Sequence, residues 1–209
     1  VYRGNIADGE EFSTSLARML GMLDRTQIAR DTVTLVFDKG GAALANTVQL
    51  EEAGVGWISA LPWNQAPVGF RECAVEQLPS CSSAQPGVRA AAEKLLVHGK
   101  EYLCVLKYSA SFAGEQLHSL SASLSKVLQS LRRFSLELNK PQARWKEDQI
   151  RSKIRRWLSV QYLEELIRYQ IESREGRWRL QFDFDPAAWQ RLVHHRLGRT
   201  VLLTNRMDW

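Results

Sequence analysis

Thr32-Val33-Thr34-Leu35-Val36-Phe37-Asp38-Lys39-Gly40-Gly41 is the stretch whose reading decides the fold. Val33, Leu35 and Phe37 alternate with Thr34 and Val36, the pattern of a β-strand buried on both faces or nearly so. The run stops at Asp38 and, after Lys39, at two glycines, which let the backbone turn without a Cβ clash. A carboxylate at the C-terminal tip of a strand that leads into a helix sits where α/β sheets carry their chemistry. Asp38 serves equally well as a turn residue or as the N-cap of that helix.

Working outward, the spacing predicts a parallel strand–helix–strand unit. Upstream, residues 1–8 read as the end of a strand and a turn. A helix then runs from Asp8 or Gly9 to Leu23, with Phe12, Leu16, Leu20 and Leu23 on one face and Glu10 and Glu11 in the first turn, where the helix dipole favours them. Downstream, a helix over 42–53 has Gly54 as its C′ residue, and a strand over 55–61 is stopped by Pro62. The fold class is therefore α/β.

Beyond Pro62 the composition shifts to Pro, Gly and Ser, which marks a domain boundary. The pattern there predicts a short amphipathic helix over 88–97 and a strand over 101–108. Leu117, Leu120, Leu124, Val127, Leu131, Phe134 and Leu138 are spaced 3-4-3-4-3-4, a long helix with one apolar seam that Pro141 ends. A helix over 146–158, a hairpin over 169–184 turning at Glu175-Gly176, a helix over 187–197 closed by Gly198 and a buried strand over 200–205 complete the chain.

Charge is unevenly placed. Residues 1–100 hold 9 Lys/Arg against 11 Asp/Glu, whereas residues 101–209 hold 19 against 12. Within 126–156 there are 10 basic residues and 3 acidic ones. A basic half joined to an acidic half suits a polyanion-binding part beside a cation-handling part. The cations expected to meet such a polyanion are Arg132, Arg133, Lys146, Arg151, Lys153, Arg155 and Arg156. Trp145, Trp157 and Trp178 lie in or beside this half, where a ring either packs in the core or stacks on a base. His194 and His195 are adjacent on a helix, about 100° apart, so they cannot chelate one metal together. Three cysteines without a C-x-x-C pair argue against a disulfide framework and a zinc site. No apolar run approaches the roughly 18 residues that span a bilayer. The expected location is cytoplasmic, with no membrane partner. A first residue that is not Met and an end directly after an apolar strand read as a piece of a longer chain.

Tyr2-Arg3-Gly4-Asn5 with Asp8, the strand end Val36-Phe37-Asp38-Lys39-Gly40, Gly54-Val55-Gly56-Trp57-Ile58-Ser59-Ala60-Leu61-Pro62, Tyr108-Ser109 with Gln116, and Leu202-Leu203-Thr204-Asn205 follow one another in an order that resembles DDE transposases of bacterial insertion sequences. The resemblance spans nearly the whole chain. It implies an RNase H-like mixed sheet, here partial, interrupted by a mainly helical insertion domain with a β-hairpin. Residues 1–66 would belong to the catalytic core, 67–198 to the insertion and 199–209 to a return strand of the core. It also implies DNA transposition by phosphodiester chemistry with a divalent metal, Mg2+ or Mn2+, and Asp38 as the second carboxylate of the triad and a metal ligand. Paired divalent metals need several carboxylates converging at one sheet edge. The implied partners are double-stranded DNA of insertion-sequence ends and a second copy in a synaptic complex, and the implied setting is nucleoid-associated in a bacterial cytoplasm. The first Asp and the Glu of the family's triad fall in stretches this chain does not contain, so the site here is incomplete and these residues alone are expected not to cut DNA. The alternative is a non-catalytic helical module, or a decayed remnant, whose 117–138 seam pairs with a partner helix.

Overall fold

In the computed structural model, residues 8–38, 44–81, 85–97, 99–140, 144–174 and 177–207 are described. The expected strand end within 1–7, the Lys39-Gly40-Gly41 turn and the hairpin turn at Glu175-Gly176 lie outside them.

Helix α1 (Asp8–Thr26) buries Leu16 and Leu23 and half-buries Leu20, and its last turn is closed by the Thr26 hydroxyl donating to the carbonyls of Met22 and Leu23. Strand β1 (Thr34–Phe37), helix α2 (Leu44–Glu52) and strand β2 (Gly56–Ala60) follow. The two strands pair in parallel, Thr34 opposite Gly56 through Phe37 opposite Ser59, as the spacing predicts. Helix α2 ends as expected: Gly54 has φ of +73° and the Val55 amide reaches back to the Leu50 carbonyl, the geometry of a glycine-closed helix.

The expectation that β1 is buried on both faces is corrected. Val36 is 75% exposed, while Leu35 and Phe37 on the opposite face pack against the core. Among the described residues β1 is the edge of the sheet, with β2 as its single neighbour. An edge strand with one covered face needs only alternate positions apolar.

A second correction concerns 88–97. After the short helix α3 (Val68–Glu72), Val88–Val97 is not a helix but strand β3, paired residue for residue with β4 (Lys100–Ser109). Ala, Lys, Glu and Leu make it a good helix sequence, and ten residues of cross-strand pairing override that propensity. The sheet order is β1-β2-β7-β4-β3, where β7 is Arg199–Thr204 and runs antiparallel to both β2 and β4. The fold is thus α/β with a mixed five-stranded sheet.

By its contacts the chain forms two units, 1–109 with 199–209, and 110–198. The expected boundary after residue 66 moves to Ser109, because the β3–β4 hairpin adds to the sheet through β7 instead of joining the helices. The core of the first unit gathers Leu50, Val55, Trp57, Phe70, Cys104, Leu106 and Val201, and its rings run Phe37–Trp57–Tyr102 at centroid separations of 6.1 and 5.4 Å.

The second unit is built on α4 (Ala110–Leu138), α5 (Glu147–Leu158), α6 (Leu163–Leu166), the hairpin β5 (Ile167–Arg174) and β6 (Arg177–Phe184), and α7 (Pro186–His195). The predicted seam of α4 is real, and it is covered within the unit. Leu120, Val127, Leu131, Phe134 and Leu138 pack with Ile150, Ile154 and Leu158 of α5, with Leu180 of β6 and with Leu192 of α7. Asp185 caps α7, accepting from the Ala188 amide at 2.9 Å with Pro186 as the first helical residue. No helix among the described residues is long and apolar enough to cross a membrane.

Candidate nucleic-acid interface

Asp38 stands one residue beyond the last parallel pair of β1 and β2, and it is exposed. Beside the strand that leads to it, Leu16 and Met19 of α1 and Leu35, Val36 and Phe37 line an apolar hollow of about 260 Å3. Among the described residues no three His, Cys, Asp or Glu side chains gather as a metal-binding group, around Asp38 or elsewhere. A pair of divalent cations needs more oxygen ligands than one carboxylate supplies.

The Leu-Leu-Thr-Asn segment has a structural job that the sequence did not disclose. Asn205 accepts from the Trp57 amide at 2.8 Å and donates to the Val55 carbonyl at 3.2 Å, and the Thr204 hydroxyl donates to the Trp57 carbonyl. Arg206 extends the clamp. Its guanidinium donates to Thr34 Oγ1 at 3.1 Å and to the Asp31 and Val33 carbonyls at 2.6 and 3.3 Å. A Cβ on Gly56 would land on that guanidinium. These residues pin β7 to β2 and fix the start of β1, the strand that precedes Asp38. A polar Thr-Asn-Arg run closing an apolar strand was the available signal.

The seven predicted DNA-binding residues do not form one face. Arg132 and Arg133, being neighbours on α4, project about 100° apart. On α5 the buried stripe is Ile150, Ile154 and Leu158. At about 100° per residue Arg151 and Arg155 flank it on one side, Lys153 lies on the other, and Arg156 lies opposite it. Arg132, Arg133, Lys146, Arg155 and Arg156 are exposed. Arg151 is half-buried and ion-paired with Glu147 at 2.6 Å, and its hydrogen bond to that carboxylate holds its pKa above the ordinary value.

Lys153 is the odd member. Its Nζ lies 4.4 Å from the ring centre of Phe134, 4.6 Å from Trp145 and 5.6 Å from Trp157. An ammonium held by three rings is stabilised where it is. Trp145 and Trp157 meet the Phe134 ring edge-on at 5.1 and 5.4 Å, and the Trp178 indole donates to the Trp145 carbonyl at 2.8 Å. All three tryptophans pack against the core. Of the predicted residues, the structure brings Arg133 and Lys153 together, along a hollow of about 200 Å3 that Glu137 and Trp157 also line. His194 is exposed with Nε2 3.0 Å from Gln190 Oε1, and His195 is half-buried.

No family model matches the chain, and neither a curated protein nor a solved structure is significantly similar to it.

Proposed function

We propose that this chain is the middle part of an insertion-sequence transposase, holding part of an RNase H-like core and an insertion domain that grips duplex DNA. The observation that carries the reading is the parallel β1–α2–β2 unit, with an exposed Asp38 just past its C-terminal end. That is the position from which a sheet presents a carboxylate to a phosphodiester. The excess of cations in 101–209 and the exposure of Arg132, Arg133, Lys146, Arg155 and Arg156 support a polyanion partner. Asp38 is one carboxylate of a metal-binding triad whose other two members come from outside these residues. When bound, Mg2+ or Mn2+ would activate the attacking oxygen and stabilise the leaving one.

The test is a salt titration of binding to a duplex of random sequence. Replacing Arg133, Arg155 and Arg156 by Ala should weaken binding and flatten the slope of log K against log salt by about one unit for each phosphate that is no longer neutralised. An unchanged slope would reduce these helices to solvated surface. The 209 residues should bind without cutting, and Mg2+-dependent strand cleavage by them would overturn Asp38 as one carboxylate of three.

A further inference from the structure

The β5–β6 hairpin has two unlike faces. Its inner face, with Tyr169, Ile171, Trp178, Leu180 and Phe182, packs on the core of the second unit, and Ser135 of α4 donates to the Leu180 carbonyl at 3.0 Å. Its outer face carries Arg168 opposite Asp183, Gln170 opposite Gln181, Glu172 opposite Arg179 and Arg174 opposite Arg177, and all of these except the half-buried Glu172 are exposed.

We propose that this outer face is a DNA-reading ribbon that lies in the major groove of duplex DNA. The proposal rests on the duplex-binding reading above and adds the element that contacts bases.

Three observations carry it. The first is the charge pattern. A solubilising face gains from opposite charges across the strands, whereas like charges directly opposite cost stability. Here Arg174 faces Arg177, and although Glu172 pairs with Arg174 at 3.2 Å, Arg174, Arg177 and Arg179 leave an excess of cations at that end of the hairpin that a polyanion would relieve. The second is chemistry. Arginine and glutamine are the side chains whose paired donors and acceptors match guanine and adenine edges, and both stand on one exposed face. The third is geometry. Residues on one face of a strand repeat at about 6.8 Å, close to two base-pair steps of about 3.4 Å. A two-stranded ribbon also fits the roughly 12 Å width of the major groove. The inner-face packing and the Trp178–Trp145 bond hold the ribbon in a fixed pose, so little ordering is left for binding. Arg168 does not belong to the reading set, because it is paired with Asp185, the cap of α7.

The experiment is selection from a randomised duplex pool with the 209-residue chain, followed by affinity measurements on the enriched duplex and on the pool. The Gln170→Ala/Gln181→Ala variant should lose about tenfold or more of its preference for the enriched duplex, with pool affinity changed by no more than about twofold. Arg177→Ala/Arg179→Ala should weaken both and flatten the salt slope, and Arg177→Lys/Arg179→Lys should restore the slope but not the preference. Unfolding temperatures matching the wild type confirm that these exposed changes leave the fold intact. If both hairpin variants keep the wild-type preference while Arg155→Ala/Arg156→Ala weakens binding, the ribbon is overturned and the DNA reading stands. Tighter binding of single strands than of duplex overturns the ribbon. No binding of any duplex overturns both.

Discussion

Gly56 and Arg206 make a test at the level of single atoms. A methyl at residue 56 would meet the Arg206 guanidinium and come within 3.0 Å of Thr34 Oγ1. Arg206 would have to leave, breaking its bonds to Thr34, Asp31 and Val33. Gly56→Ala should cost about 1–3 kcal/mol, and added to Arg206→Ala it should cost little more than Arg206→Ala alone. Additive costs in urea unfolding would refute the clamp. Tyr102 offers a pH test. Burial first, then its 2.8 Å hydrogen bond to Glu51, pushes its hydroxyl up to about 12. A group whose folded pKa is raised stabilises fully below its unfolded pKa, about 10, and loses that contribution as pH rises through the folded value. Wild type should therefore lose more stability than Tyr102→Phe between about pH 10 and pH 12. Equal losses would contradict the assignment. Lys153 is a third case. Its ammonium is committed to three rings, so Lys153→Met should leave the salt slope of DNA binding unchanged. A fall of about one unit would put Lys153 back among the residues that neutralise phosphates.

Elements were legible in the sequence where periodicity was long or a turn residue was decisive. The α4 seam repeats over three heptads, and Leu131, predicted on it, is fully buried, whereas Leu136 is 70% exposed. Leu131→Ala should cost about 2–5 kcal/mol by cavity formation, and Leu136→Ala no more than about 0.5. Equal costs would mean the seam is misplaced. Strand β3 was not legible, because Ala-Ala-Ala-Glu-Lys-Leu-Leu satisfies a helix as well as a strand. The cue lay outside the run, at Gly99 just before Lys100: the glycine's φ of +80° is the left-handed backbone a tight hairpin needs. The edge position of β1 was illegible for a related reason, since a short apolar run does not say how many neighbours it has. At the candidate site, Asp38 was legible from the strand end that precedes it. The split of the basic residues around α5 was not, because counting charge along a sequence ignores the step of about 100° between neighbours.

At the scale of the whole molecule the chain divides where a contiguous segment, 110–198, encloses its own core. Those residues alone should unfold cooperatively, and a featureless melt by circular dichroism would contradict their independence. The acidic half of the sequence carries Asp38 and the basic half carries α4, α5 and the β5–β6 hairpin, a division that suits the proposed role in which one part holds DNA and another acts on it. The central claim is that the partner is duplex DNA held through its phosphates. The most direct measurement is the binding of the 209-residue chain to a duplex of random sequence across a range of salt. The account predicts binding whose log K falls linearly with log salt, with a slope of several units that drops in the Arg133/Arg155/Arg156 triple alanine variant. No binding, or binding indifferent to salt, would contradict it.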